Sequence, residues 1–418
     1  MTGNEAPDGW RVVRLGDVAT IVMGQAPPGA TVLDWNGDTP GEGLPFIQGN
    51  AEFAGTHPSP IKWCRQPAKV AEAGDTLITV RAPVGEMNVA DRRLAIGRGV
   101  AAIRFTGVDA RFGWHQLSIA RDGFSRIAQG STFTAINSVD LMNLGLLAPP
   151  PTEQAGIAEV LDAIDAAIEK TEAVIDATER LSSALLQQLL TRGVPGWHTE
   201  WKDVPGIGAI PACWEVVQLG DCISKPEYGT NASLHDEPNG IAVLRMGNLQ
   251  SGAVELDALK WGDLGPEELT QLTLRSGDIL FNRTNSIDLV GKVGIVRDLS
   301  FPTSFASYLL RLRALPNKAV PEWLTCVLNQ PAVQARLRRM ATKGASQANI
   351  NPTSLCSLKI GRPAVEEQEA MVALLEGIRS RVLAERRTVE VLTATKSSLS
   401  EALLSGALRV PPLAGGQE

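Results

Sequence analysis

Few residues in this chain of 418 are spaced for covalent chemistry. Gly291-Lys292-Val293-Gly294 contains the Gly-Lys pair of a phosphate cradle, but it lacks the upstream glycine spacing and the following Ser or Thr. Asn351-Pro352-Thr353-Ser354 matches only the start of the N-P-P-[YF] tetrapeptide with which amino-methyltransferases hold a target amine. No G-x-S-x-G or H-E-x-x-H occurs. Five cysteines (Cys64, Cys213, Cys222, Cys326 and Cys356) are odd in number and lack C-x-x-C spacing, and the four histidines lie far apart. Buried thiols are expected rather than disulfides or a zinc site. No glycine-rich strand-to-helix turn suggests a cofactor cradle. The expectation is a binding protein with no catalytic, cofactor-binding or metal-ligating residues of its own.

Bulk properties set wide limits. Length suggests two to three domains. Hydrophobic content of 44% and charged content of 20% fit a soluble globular protein. No N-terminal signal pattern is present, and no apolar run approaches the roughly 18 residues needed to span a bilayer. A cytoplasmic protein without a membrane partner is expected. Net charge is −7, but eight acidic against three basic residues fall within 153–193 alone. Charge therefore does not decide for or against a nucleic-acid partner, because basic groups can line one groove of an acidic protein.

The elements that would position any site are organised around residues 153–193. Ile157, Leu161, Ile164, Ile168, Thr171, Ile175, Thr178, Ser182, Leu185 and Leu189 follow a four-three spacing. This is a heptad seam on a helix reaching roughly 60 Å. Such a helix needs a partner for its apolar stripe. A shift of 214 supplies one: Met371, Leu375, Ile378, Val382, Glu385, Val389, Leu392, Lys396, Leu399 and Leu403. An intramolecular pair is predicted, with polar positions fixing register at some cost in stability.

The match extends beyond the helices. Trp10 with Leu15-Gly16-Asp17 answers Trp214 with Leu219-Gly220-Asp221, Gly49-Asn50 answers Gly247-Asn248, and Gly74-Asp75 answers Gly277-Asp278. Without a gap, Gly130 pairs with Gly344, Ile136 with Ile350, Asn137 with Asn351, Leu141 with Leu355, Pro149 with Pro363 and Glu153-Gln154 with Glu367-Gln368. Short β-forming runs bounded by Gly-Asp turns predict strands. Residues 24–45 read as a loop, and 111–128 and 321–341 as helices. The chain is a tandem duplication. Its units are globular at 1–152 and 214–366, with long helices at 153–193 and 367–409. A Gly/Pro/Trp connector at 194–213 joins the halves, and 410–418 is a tail expected to be disordered.

The ordered set W-x-V-V-x-L-G-D, SGDIL, GSTFTAIN or GASQANIN and a Leu-rich helix end, present twice, resembles the specificity subunit of type I restriction–modification systems. The similarity covers nearly the whole chain. The resemblance implies an α+β fold: two mixed α/β target recognition domains separated by two long helices forming an antiparallel coiled coil. Each domain would read half of a bipartite site on double-stranded DNA. The helices would set half-site spacing and dock two adenine-N6 methyltransferase subunits, to which restriction subunits (translocase and nuclease) add. S-adenosylmethionine, ATP and Mg are expected in those partners. A coiled-coil scaffold with protein-binding ends, or a methyltransferase fragment, remains the alternative. Arg favours guanine, Asn or Gln favours adenine, and Lys, Ser and Thr hold phosphates. DNA-binding candidates in the first unit are therefore Gln48, Asn50, Lys62, Arg65, Arg81, Ser131, Thr132 and Thr134. Those in the second are Arg245, Asn248, Asn282, Arg283, Thr284, Lys343, Ser346, Gln347 and Asn349. Asn137 and Asn351 recur in both halves and are expected to cap helices.

Overall fold

A computed structural model describes residues 6–38, 41–129, 135–344 and 347–411, and gives only the backbone of 121–129 and 343. Ser131, Thr132, Thr134, Ser346 and the tail from 412 lie outside the described residues. The chain divides into two units, residues 1–173 with 386–418 and residues 174–385. Among the described residues no helix is long and apolar enough to cross a membrane.

In the first unit, strands Met87–Val89, Thr76–Thr79, Val100–Phe105 and Ala19–Met23 form an antiparallel sheet in that order. A second sheet runs Val32–Asp34, Lys62–Cys64, Leu44–Ile47, Leu94–Ile96 and Val70–Ala71, with only the Leu44–Ile47 and Leu94–Ile96 pair parallel. Val32–Asp34 falls within the stretch read as a loop, where cross-strand pairing with Lys62–Cys64 orders it. In the second unit, Ile279–Asn282 lies between Leu309–Leu312 and Val293–Ile295, both antiparallel to it. Ile241–Leu244 pairs in parallel with Thr303–Phe305. Each unit thus combines mixed strands with helices, as expected.

The repeated Gly-Asp phrase has one local cause in both units. Gly74 and Gly277 adopt φ of +87° and +86°, conformations that a side chain would strain. The Asp that follows closes the turn: Asp75 accepts from the Glu72 amide and Asp278 from the Arg275 amide. Its carboxylate then takes a two-pronged bond from the neighbouring strand, Arg104 to Asp75 at 2.8 and 2.7 Å and Arg313 to Asp278 at 2.6 and 3.1 Å. Asn137 caps Ser138–Met142 and Asn351 caps Pro352–Cys356, each accepting backbone amides.

Three local expectations change. The region 321–341 is two helices, Pro321–Asn329 and Pro331–Met340. Gln330 is extended before Pro331, whose ring disfavours helical backbone at the preceding residue. The connector holds an antiparallel hairpin, Trp201–Val204 with Gly208–Pro211. It is closed at Gly206 with φ +79°. Finally, Gly49-Asn50 and Gly247-Asn248 are not equivalents. Glu52 accepts from the Gln48 and Gly49 amides, and Asn248 accepts from the Arg245 amide. Glu52 and Asn248 therefore occupy the same place, closing the turn after equivalent strands.

The long helices run Pro151–Arg192 and Val365–Leu404. Every seam position predicted on them is buried or half-buried. In the first unit Lys396 reaches Asp165 at 2.5 Å, and Leu403 and Leu404 pack with Ile157 and Leu161. In the second, Met371 packs with Leu189 and Leu190. Numbers rise along one helix as they fall along the other, so the pairing is antiparallel. Lys396, a polar interruption of the seam, thus makes a cross-helix ion pair. Thr171 and Thr178 return their hydroxyls to the Ala167 and Val174 carbonyls of their own helix.

The Glu-Gln pair at the start of each helix ties it to the globular part. Gln154 accepts from the Asp109 amide and donates to the Pro149 carbonyl. Gln368 accepts from the Val320 amide and donates to the Pro363 carbonyl. The Trp10 indole donates to Glu153 at 3.2 Å and Trp214 to Glu367 at 3.0 Å. In the first unit Arg409 donates to both oxygens of Glu153 at 2.6 and 2.8 Å. This bond from Arg409 is the main reason why the Glu153 carboxyl sits below its ordinary value of 4.5. A depressed folded-state value stabilises the fold fully above the unfolded value and is lost as pH falls through the folded one. Glu153→Gln is therefore expected to lower Tm at neutral pH. The gap from the parent chain should narrow below about pH 4.5, which paired thermal melts across pH measure.

Candidate nucleic-acid interface

In the first unit three strand ends meet. Leu44–Ile47 runs into Gln48, Thr76–Thr79 into Val80 and Arg81, and Leu94–Ile96 into Gly97-Arg98-Gly99. The Gly97 amide donates to the Ile47 carbonyl at 2.8 Å, and the Val80 amide to the Gly99 carbonyl at 2.9 Å. Gly99 passes so close that an added Cβ would lie 2.3 Å from the Gln48 carbonyl oxygen. That close approach holds Arg98 beside Gln48. An open depression results, lined by Gln48, Gly49, Asn50, Arg81, Ala82, Arg98 and Gly99. Gln48, Asn50, Arg81 and Arg98 are all exposed. Among the described residues neither arginine has a carboxylate partner. Two unpaired guanidinium forks and two amides facing one depression suit recognition of phosphates and base edges.

The second unit builds the same place from the equivalent strand ends. The Ala306 amide donates to the Leu244 carbonyl at 2.9 Å, and the Arg283 amide to the Tyr308 carbonyl at 3.1 Å. Arg245 thus stands where Gln48 stands, and is exposed. Arg283 is half-buried, its guanidinium 5.0 Å from the Tyr228 ring centre. It also donates to the Ser307 carbonyl and to Asn349 Oδ1, both at 3.4 Å. Tyr228 and Tyr308 are the only tyrosines of the chain, and each keeps 48% of its surface exposed. Tyr228 is opposite Leu310, and Tyr308 lies in the turn that leads into that neighbouring strand. A guanidinium held by a ring and by carbonyls loses less freedom on binding.

The structure brings Gln48, Asn50 and Arg81 together in one unit, and Arg283 with Asn349 in the other. Lys62 is half-buried opposite Phe46, and Arg65 follows the far end of that strand, away from Gln48. Asn248 is buried, donating to the Glu255 and Asp257 carbonyls. Asn282 is wholly buried, its amide on the Leu289 carbonyl, and Thr284 is 8% exposed. These three side chains are not presented at the surface, because the strand pleat and the turns they close point them inward. Gln347 is exposed, and only the backbone of Lys343 is described. Arg98, Tyr228 and Tyr308 escaped the reading of the sequence. The signals were an arginine flanked by glycines and the scarcity of tyrosine.

Two duplicated α+β units, each bearing a polar and cationic cluster at equivalent strand ends, define a two-site recognition protein. The chain belongs to the family of the type I restriction modification DNA specificity domain, whose model matches residues 7–178 and again 211–392. This membership decides against the scaffold alternative. The chain is 24% identical over 424 residues to the MjaVIII type I restriction enzyme specificity subunit of Methanocaldococcus jannaschii, covering 99% of this chain and 96% of that one. It is 22% identical over 433 residues to the EcoKI specificity subunit of Escherichia coli strain K12, covering 98% and 90%. A shorter match, 38% over 191 residues, is to a protein assigned as the MjaX specificity subunit of Methanocaldococcus jannaschii, covering 45% of this chain and 44% of that one. The fold is similar to that of the type I restriction-modification S subunit from M. genitalium, at TM-score 0.56 and 13% identity, covering 97% of this chain and 98% of that one. A chain solved in work on assembly and conformational transition of a type I R-M system gives TM-score 0.57 at 19% identity, covering 97% and 100%.

Proposed function

We propose that this chain is the DNA-recognition subunit of a type I restriction–modification complex in the cytoplasm, each unit reading half of a bipartite site. The observation that carries this is the recurrence of an Arg-and-amide cluster at equivalent strand ends in both units, exposed in the first and half-buried at Arg283 and Asn349 in the second. Phosphate contacts set affinity and register, while forks and amides select bases. The clusters differ in residue: Gln48, Arg81 and Arg98 in one, Arg245, Arg283 and the two tyrosines in the other. The two half-sites therefore differ in sequence.

The paired helices set the distance between half-sites and dock two adenine-N6 methyltransferase subunits. Restriction subunits add to that core. Val174 and Leu181, seven residues apart on one helix face, stay 43% and 60% exposed, and Val391 on the C-terminal helix is 65% exposed. Such side chains suit a protein partner. Methyl transfer, with S-adenosylmethionine, and restriction, with ATP and Mg, belong to those partners. Joining two weak readers raises effective concentration and makes spacing part of the specificity.

The test is a domain exchange. Replacing residues 10–150 with the matching unit of a relative is expected to change one half of the methylated motif and leave the other intact. Long-read sequencing of DNA from cells with the methyltransferase partner reads both halves at once. A change in both halves would contradict the two-reader assignment.

A further inference from the structure

The two joints between globular part and helix differ in the group that holds the carboxylate. Arg409, a permanent cation, holds Glu153 in the first unit. In the second, His198 Nε2 donates to Glu367 Oε1 at 2.6 Å, and His198 Nδ1 faces Cys213 Sγ at 3.4 Å. Glu367 is 4% exposed and also accepts from the Trp214 indole at 3.0 Å and the Val194 amide at 3.1 Å. Those donors fix its orientation. Gly193, with φ +78°, lets the backbone pass over the pair, where an added Cβ would lie 2.4 Å from Glu367 Oε1 and 2.5 Å from the imidazole.

This is the arrangement of an activated nucleophile: thiol, base, and a carboxylate that orients the base. With Nε2 committed to Glu367, Nδ1 is the ring nitrogen left to take the thiol proton. The thiol, the imidazole and the buried carboxylate thus stand in line. Of the five cysteines, all among the described residues, only Cys213 is exposed. Burial pushes the Cys326 thiol up to about 11 and raises those of Cys222 and Cys356. No other cysteine combines such access with a base in reach.

We propose that Cys213 is a modification site, a nucleophilic thiol that exchanges with small-molecule disulfides. The Cys213 thiolate attacks one sulfur of R–S–S–R. The S–S bond breaks, a Cys213–S–S–R bond forms, and the leaving RS⁻ takes the proton that His198 Nδ1 received from Cys213. One thiol and one disulfide are consumed, and one of each is produced. An adduct at Cys213 displaces His198 from its bond to Glu367 and so acts on the joint at the start of the C-terminal helix. The first unit, with Arg409 in that role, has no equivalent.

The experiment uses the full-length reduced chain at pH 7, with iodoacetamide and, separately, oxidised glutathione as probes. Labelling of each cysteine is timed by peptide mass spectrometry against free glutathione with iodoacetamide, and against a free small thiol with the disulfide. A free thiol is only a few per cent ionised at pH 7; a base within reach assists loss of the thiol proton, and the gain is partly offset by lower intrinsic nucleophilicity. Cys213 is therefore expected to react first and about tenfold faster than the reference thiol. His198→Gln should return it to the reference rate, and Cys213→Ser should remove the fast phase. A parent-chain rate at or below the reference overturns the proposal, and that comparison needs no variant to fold. Persistence of the fast rate in His198→Gln overturns it as well.

Discussion

Replacing Ala177 with proline is expected to abolish assembly of an active complex, although the Ala177 side chain is exposed and touches no core. Ala177 lies inside the 42-residue helix Pro151–Arg192, two residues past buried Ile175 and one before seam residue Thr178. Proline removes one helical hydrogen bond and clashes with the preceding turn, at about 3 kcal/mol or more. Ala177→Gly costs only about 1 kcal/mol and should keep activity, which separates a break from a loosening. Inserting four residues after Ala177 should act differently. It adds roughly 6 Å at helical rise and turns the rest of the helix by about 40°. A heptad seam absorbs such a stutter by local unwinding. Both half-sites should then survive with about two more base pairs between them, at roughly 3.4 Å each. The methylated motif of the insertion variant decides the matter. An active variant with unchanged spacing would mean that something other than these helices sets the distance.

The second large effect is expected at Arg283. Arg283→Ala should weaken DNA binding by the complex about tenfold to a hundredfold and relax one base position in one half-site, the value of a good two-pronged contact. Arg283→Lys should not restore selectivity, because a point charge cannot reproduce the planar fork. Tyr228→Ala should cause a smaller loss, about 0.5–1 kcal/mol, by removing the ring beneath the guanidinium. Arg81→Ala and Arg98→Ala should affect the other half-site. Where either arginine holds only phosphate, the loss should be uniform across sequences and should lower the salt slope by about 1. Binding curves at several salt concentrations, with each half-site mutated in turn, separate these outcomes. If Arg283→Ala changes neither affinity nor selectivity, the second cluster does not read DNA.

The sequence by itself determined the duplication, the helix pair and the joints. The reason is that each is written in local periodicity or in phrases repeated at a constant shift. The seam from Ile157 to Leu189 recurs from Met371 to Leu403, and one face of each helix must be covered. Glu153-Gln154 and Glu367-Gln368 recur because each buried pair must satisfy backbone groups of the unit before it. The sites were only partly legible. Gln48, Arg81 and Arg283 were candidates by residue type alone, and the structure places each just after a strand. Tertiary structure alone decided which polar residues face outward. Asn248 and Glu52 share no residue type, yet both close the same turn, so matching by letters put the equivalence a few residues off. Asn282 and Thr284 resemble surface amides and hydroxyls in sequence, but the pleat and the neighbouring backbone turn them inward. Arg98, Tyr228 and Tyr308 join their clusters through strand ends far apart in the chain. Cross-strand hydrogen bonding and close glycine packing create that proximity, and neither leaves a periodic trace in the order of residues.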